Sequence, residues 1–267
     1  MRSWSIPPRV LFGLAVSFVT ATGVGAHDIW ITMVQEKPDV VRVVVNYGHP
    51  GDRPAPIADK LFELSISGIN PTWQSLLTGV KSDVQDGIPV LMTEPVPIAK
   101  DAGVLVLAAR YDNGYWVKTP YGYRNTSKPQ VPDTERSISS MKFAKALLQV
   151  DAGPSDDFQT VIGHRLELVP LANPFALKPK DTMKVRVYFE GKPLADAGVE
   201  IGDGVTPRAE EDIPRYKTDA SGVAEMPIIQ PGLQLLVVEH TTPAIHPDLC
   251  DQDVSIATVS FVLPPSR

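Results

Sequence analysis

The sequence predicts an all-β protein: two β-sandwich domains, immunoglobulin-like or prealbumin-like, joined by a short connector with room for one helix. Three observations carry this. Short β-branched or alternating segments recur along most of the 267 residues. The 26 prolines, about twice ordinary usage, fall largely in turns and in one interior stretch. The 43% hydrophobic content supplies core for such domains and excludes a disordered chain, and no Gly-X-Y or heptad repeat points to a fibre.

The first element is a secretory signal over residues 1–26. Arg2 and Arg9 give a positive start, Val10 to Ala21 is apolar, and Val24-Gly25-Ala26 offers the small residues of a cleavage site. The apolar run is shorter than the 18 or so residues a membrane span needs. Cleavage after Ala26 predicts a periplasmic or secreted mature chain with no membrane span. A lone cysteine, Cys250, excludes an internal disulfide framework and a Cys-rich zinc site. A net charge of -6 argues against a nucleic-acid partner.

Residues 27–118 form the predicted N-terminal β domain. Ile29–Val34 is short and β-branched, and Val40–Tyr47 is a valine run suited to a buried strand. Leu61–Ser67 alternates, with Leu61, Glu63 and Ser65 on one side and Phe62, Leu64 and Ile66 on the other. Val104–Tyr111 and Gly114–Lys118 flank Asp112-Asn113-Gly114, which reads as a hairpin turn. Residues 119–157 are more polar and proline-punctuated, and form the predicted connector. Within it, Ile138, Met141, Ala144, Leu147 and Leu148 stand at helical spacing over Ser137–Val150, with Asp133 or Thr134 as cap.

From 158 to 267 the β signals return as the C-terminal domain. Leu166–Pro170, Thr182–Phe189, Val199–Ile201, Gly222–Ile228, Leu233–His240 and Val254–Leu263 are its strands. Thr182–Phe189 alternates cleanly, with Met183, Val185, Val187 and Phe189 on one face.

The candidate chemistry is histidine chemistry. Cleavage after Ala26 makes His27 the mature amino terminus, where its α-amine and imidazole can chelate one metal ion as a ring. His49 follows the valine strand in a Gly-His-Pro-Gly bend, and His240 closes the strand Leu233–Glu239. Imidazole suits nickel, cobalt, copper and zinc alike, so histidines alone do not choose the ion. The predicted metal site is therefore His27 and His49, with His240 or another side chain completing it, and Asp28 as ligand or orienting partner. A hydrogen-bonded structural role suits His164 better. His246 and Cys250, an H-x3-C pair, suit a shared ion less well than a packed thiol.

Several stretches resemble the DUF4198 family. They are His27-Asp28-Ile29-Trp30, Tyr47-Gly48-His49-Pro50, and Gly163-His164-Arg165-Leu166-Glu167-Leu168-Val169-Pro170. Gly191-Lys192-Pro193-Leu194-Ala195-Asp196-Ala197-Gly198-Val199 and Lys217-Thr218-Asp219-Ala220-Ser221-Gly222-Val223-Ala224 follow in the family's order. The resemblance implies export, a β-sandwich build, and a part in nickel or cobalt uptake, with a membrane metal transporter as partner.

The expectation is an exported, soluble transition-metal-binding protein that captures or delivers nickel, cobalt or copper. No H-E-x-x-H, G-x-S-x-G or P-loop motif appears, and no spacing ties Ser, His and Asp into a triad, so hydrolase chemistry has no support and a binding role is favoured over an enzyme. Two other readings remain. One is a copper oxidoreductase built on a histidine brace. The other is a glycan- or protein-binding module whose platform draws on Trp30, Trp73, Trp116, Tyr121 and Tyr123, although packing is the better reading of those rings.

Overall fold

The computed structural model describes residues 27–67, 73–100, 103–150, 155–209 and 212–264. The predicted signal, 1–26, lies outside the described residues.

The described residues form strands throughout, with only three-residue helical turns between them. The strands begin with β1 (Asp28–Lys37), β2 (Val40–Gly48), β3 (Leu61–Ser67), β4 (Gln74–Ser75), β5 (Lys81–Gln85) and β6 (Ile88–Met92). Next come β7 (Val96–Pro97), β8 (Val104–Thr119), β9 (Gly122–Arg124), β10 (Arg136–Gln149), β11 (Leu166–Pro170) and β12 (Thr182–Phe189). The last are β13 (Lys192–Pro193), β14 (Gly198–Gly202), β15 (Arg215–Lys217), β16 (Val223–Pro227), β17 (Gly232–Pro243) and β18 (Gln252–Leu263).

Three sheets result. One has the order β1-β2-β6-β5, with β7 also on β2. The largest runs β15-β14-β17-β18-β10-β8-β3-β4, with β9 on β8. The third runs β11-β12-β13, with β16 on β12.

The large sheet is the middle layer, and side-chain parity shows why. Successive residues of a strand point to opposite faces. On β8, Val104 and Val106 enter one apolar core, while Leu105, Leu107, Ala109 and Tyr111 enter another. On β10, Phe143 and Leu147 join the first core, and Ala144 and Ala146 join the second. The four-stranded sheet closes the first with Leu166, Leu168, Met183, Val185 and Val187. The five-stranded sheet closes the second with Ile29, Ile31, Val41, Val43 and Val45. Two hydroxyls on β18 fasten β1 to the middle layer: Thr258 donates to the Ile29 carbonyl at 2.8 Å, and Ser260 to that of Ile31 at 2.6 Å. The fold is thus two β-sandwich cores on either side of one sheet.

Four local expectations give way. The helix predicted over Ser137–Val150 is β10, paired antiparallel with β8 and parallel with β18. A strand buried on both faces loses its two-residue alternation, because both sets of side chains are apolar. That run, broken by Lys142 and Lys145, reads as helical spacing. Residues 136–149 of the predicted connector therefore lie at the heart of a sheet that draws β3 and β8 from one side of them and β14, β17 and β18 from the other.

The predicted hairpin at Asp112-Asn113-Gly114 is instead a bulge within the continuous β8. The pairing steps from Gly114↔Ser140 to Asp112↔Met141, leaving Asn113 as the extra residue. Gly114 at φ 76 supplies the left-handed backbone a bulge requires, the same property that suggested a turn. A second bulge, between Leu61 and Glu63, breaks the predicted alternation of β3. Leu61 joins Leu64 and Ile66 in one core, and Phe62 is exposed.

Candidate functional site

Pairing of β1 with β2 assembles the amino-terminal cluster. Asp28 pairs with Gly48, so the residue before β1 and the residue after β2 meet at one end of the ladder. These are His27 and His49, whose ring centroids lie 5.3 Å apart at 55°. The chain then bends through His49-Pro50-Gly51-Asp52, closed by the His49 amide on the Asp52 carbonyl at 2.8 Å and the reverse bond at 3.0 Å. The bend depends on Gly48, at φ 117, where an added Cβ would stand 2.3 Å from the Asp52 carbonyl oxygen.

The bend returns Asp52 toward the amino terminus. Asp52 Oδ2 lies 2.9 Å from His27 Nε2, while Asp28 Oδ2 lies 3.5 Å from His49 Nδ1. Each imidazole is thus oriented by the carboxylate adjoining the other, the arrangement that fixes a ligand ring. Tyr47 backs the pair: its ring meets His27 edge-on at 5.2 Å and leans on Tyr111 at 5.3 Å. Its hydroxyl donates to Asn113 Oδ1 at 3.1 Å, giving the bulge residue a buried partner. Burial raises the Tyr47 hydroxyl above the usual tyrosine range, so it stays a proton donor.

A row of residues across the middle sheet lies behind the histidines. Glu239 pairs with Ile256, Ile256 with Lys142, and Lys142 with Tyr111, all on the face that β1 covers. The Lys142 side chain is fully buried, and its Nζ finds no hydrogen-bond partner among the described residues. Burial pulls its ammonium down to about 8, against the attraction of Asp28 and Glu239. The Glu239 carboxyl is raised, chiefly because protein crowds it, although its side chain keeps an opening to solvent. A buried ammonium and a crowded carboxyl beside two histidines make this end of the sandwich electrostatically perturbed.

The sequence missed Lys142 because it stands in the run read as a helix. Its charge amid apolar neighbours, shared with Lys145, was the available signal.

The other predicted ligand lies elsewhere. The structure brings His27 and His49 together but leaves His240 apart from them. On β17, Leu236 and Val238 face the first core, and His240 has their parity, opposite to Glu239. The His240 ring packs edge-on against Phe189 at 4.5 Å, and burial, with Arg165 nearby, lowers its pKa. The middle sheet therefore separates it from the amino-terminal pair.

The His164 ring lies against Phe143, with centroids 5.2 Å apart at 37°, and its Nε2 is 3.7 Å from Glu63 Oε2. Cys250 is buried, its thiol raised by desolvation, with Sγ 3.9 Å from Asp253 Oδ1, and its amide bonds to the His246 carbonyl at 3.2 Å. Of the aromatic candidates, Trp30 is buried with Arg53 over its ring at 4.3 Å, whereas Trp73, Tyr121 and Tyr123 are exposed.

The donors at the amino-terminal cluster suit a transition ion. Metal–imidazole bonds of about 2.0–2.1 Å allow two rings with centroids 5.3 Å apart to reach one ion. With Nε2 of His27 turned to Asp52, its Nδ1 is the nitrogen left to act with the residue's own backbone nitrogen. That backbone nitrogen becomes an amine, and so a ligand, only when the bond to Ala26 is cut. Among the described residues, no three His, Cys, Asp or Glu side chains are already gathered into a metal-binding group.

An uncharacterised protein of Haemophilus influenzae is 28% identical over 226 residues, which is 84% of this chain and 82% of that protein. The DUF4198 model, described as a domain of unknown function, matches residues 24–242. The match takes in His27, His49, Lys142 and the whole of the middle layer up to β17, and the chain belongs to the DUF4198 family.

Proposed function

We propose that the protein is exported, cleaved after Ala26, and binds a transition-metal ion through its new amino terminus, as a carrier that captures or delivers the ion. The observation that carries this reading is the side-by-side placement of His27 and His49, each with a carboxylate turned to it. The His27 amine and Nδ1 form the chelate, Asp52 orients the ring, and His49 adds the second imidazole. Nickel or cobalt, delivered to a membrane transporter from the periplasm, is the cargo that the family resemblance favours.

The test is calorimetric titration of the mature chain with nickel, cobalt and copper. Compared with the chain starting at His27, a chain with one extra residue before it loses the amine chelate, and His49→Ala loses the second ring. A fall of roughly tenfold or more in affinity in both is expected. Unchanged binding in both overturns the reading. A copper oxidoreductase would use the same atoms, and turnover of the copper-loaded protein with a reductant would favour that alternative.

A further inference from the structure

On the face of the middle sheet opposite His27, the first core runs past the edge of the four-stranded sheet and opens as a cleft of about 660 Å³. Small-molecule sites are typically about 300–1,000 Å³. The sheet itself is the floor. Glu63, Arg110 and Phe143 form one row of paired residues, and Tyr115, Ser139 and Asp253 another, with Met141 between the rows. The loop Ile162–Arg165 and the pair Ile245–His246 rise as walls.

The walls are held in place before any ligand arrives. Glu167 accepts from the Ile162 amide at 2.8 Å and from the Gly163 amide at 2.9 Å, anchoring the loop from inside the core. His164, next in the loop, lies against Phe143 on the floor. A prearranged wall spares a ligand the cost of ordering it.

The polar groups favour one charge. Both carboxylates of the cleft are already engaged. Glu63 is paired with Arg110 Nε and faces His164, and those two groups hold its carboxyl below the usual range. Asp253 accepts from the Ile245 amide at 3.1 Å and lies 3.7 Å from Arg165 Nη1. The cations have capacity beyond these contacts: a guanidinium carries five N–H donors, Arg110 uses Nε on Glu63, and Arg165 uses Nη1 on Asp253 and Nε on Glu190, 3.1 Å away.

Both guanidiniums therefore keep N–H positions beyond these ion pairs, and a planar carboxylate matches the guanidinium fork. A multiply charged phosphate would fit less well, because Glu63 and Asp253 stand beside the same cations. Met141, Phe143 and Ile162 offer apolar surface between the charged walls.

We propose that this cleft binds a small organic carboxylate, with Arg110 and Arg165 receiving the charged end and Met141, Phe143 and Ile162 the hydrocarbon portion. The site is separate from the amino-terminal histidines, since the middle sheet stands between them, and it holds whether or not the chain carries metal.

Calorimetric titration of the mature protein in metal-free buffer tests this, with benzoate, phenylacetate, succinate and citrate as probes. Benzamide, succinamide and inorganic phosphate serve as controls. At least one carboxylate is expected to bind with a Kd of about 1 mM or tighter, and its amide counterpart roughly tenfold more weakly or worse. Arg110→Gln and Arg165→Gln should each weaken that binding by a similar factor. The amide comparison uses the unmodified protein, so it stands even if a variant folds poorly. The proposal fails if no carboxylate binds, if an amide or phosphate binds as well as its carboxylate rival, or if both arginine variants bind unchanged.

Discussion

Lys145 Nζ lies 2.5 Å from Glu167 Oε1 in the first core, and both side chains are 2% exposed. The ammonium also donates to the Thr160 carbonyl at 2.8 Å and the Leu168 carbonyl at 3.2 Å. The carboxylate in turn takes two amides of the 162–163 loop, so one buried pair fixes β10, β11 and a wall of the cleft together. Removing one partner strands a charge, at about 3–5 kcal/mol, whereas an apolar pair of similar volume is often neutral or stabilising. Glu167→Ala should therefore destabilise by that amount in urea unfolding. Lys145→Met with Glu167→Leu should recover most of it but leave the loop amides unheld, seen as faster hydrogen exchange at Ile162 and Gly163. A double variant no more stable than Glu167→Ala would contradict this.

That pair also explains one stretch of the family-like sequence. Gly163-His164-Arg165-Leu166-Glu167 reads, from sequence, as a histidine ahead of a strand. In the structure its glutamate bonds back to its own loop and its histidine lies over Phe143. A strand such as Thr182–Phe189 was legible because one sandwich face imposes a clear pattern. The middle strand β10 was not, because burial on both faces erases period two. Parity across a shared sheet has no local signature at all. Hence His49 beside His27 followed from its place at a strand end, but nothing in the sequence set His240 on the other face.

Lys142 gives a pH prediction with a definite sign. Its folded-state pKa, about 8, lies below the ordinary lysine value of 10.5. A cation whose pKa falls on folding destabilises the fold wherever the unfolded chain would hold the proton more tightly. The penalty is full below pH 8 and fades as pH rises toward 10.5. At about 1.4 kcal/mol per pH unit, it is on the order of 3 kcal/mol. Lys142→Met should stabilise the protein at pH 7, and the gain over the parent should shrink by pH 10. Urea unfolding of both proteins at the two pH values measures it. An equal gain at both would show that the ammonium is not the source.

The separation of the histidines predicts unequal effects on metal binding. His240→Ala removes a ring that packs on Phe189, on the far side of the middle sheet from His27. It should leave the affinity of the mature chain for nickel unchanged within about twofold, while costing about 1–2 kcal/mol of stability through the lost aromatic contact. His49→Ala should do the reverse. Titration and thermal unfolding of the two variants side by side check the crossing pattern. Weakened metal binding in His240→Ala would mean that the site reaches across the sheet.

Gly48 offers the sharpest backbone test of the amino-terminal cluster. With φ at 117 and the Asp52 carbonyl in the way of any Cβ, Gly48→Ala cannot be absorbed by a side-chain shift. The bend must open, and opening it moves Asp52 away from His27. Backbone strain of this kind is worth about 1–3 kcal/mol, so a lower thermal midpoint is expected. The larger consequence is local. Without Asp52 on Nε2, the His27 ring loses its orientation, and metal affinity should fall even though no ligand atom has been removed. Gly51→Ala is the fitting comparison. It shares the bend and a positive φ of 90, but its added Cβ would meet the Pro207 ring at 3.5 Å, an ordinary contact. Both variants carry strain, but only Gly48→Ala drives a side chain into the backbone that carries Asp52. Equal loss of metal binding in the two would assign the effect to general strain in the bend.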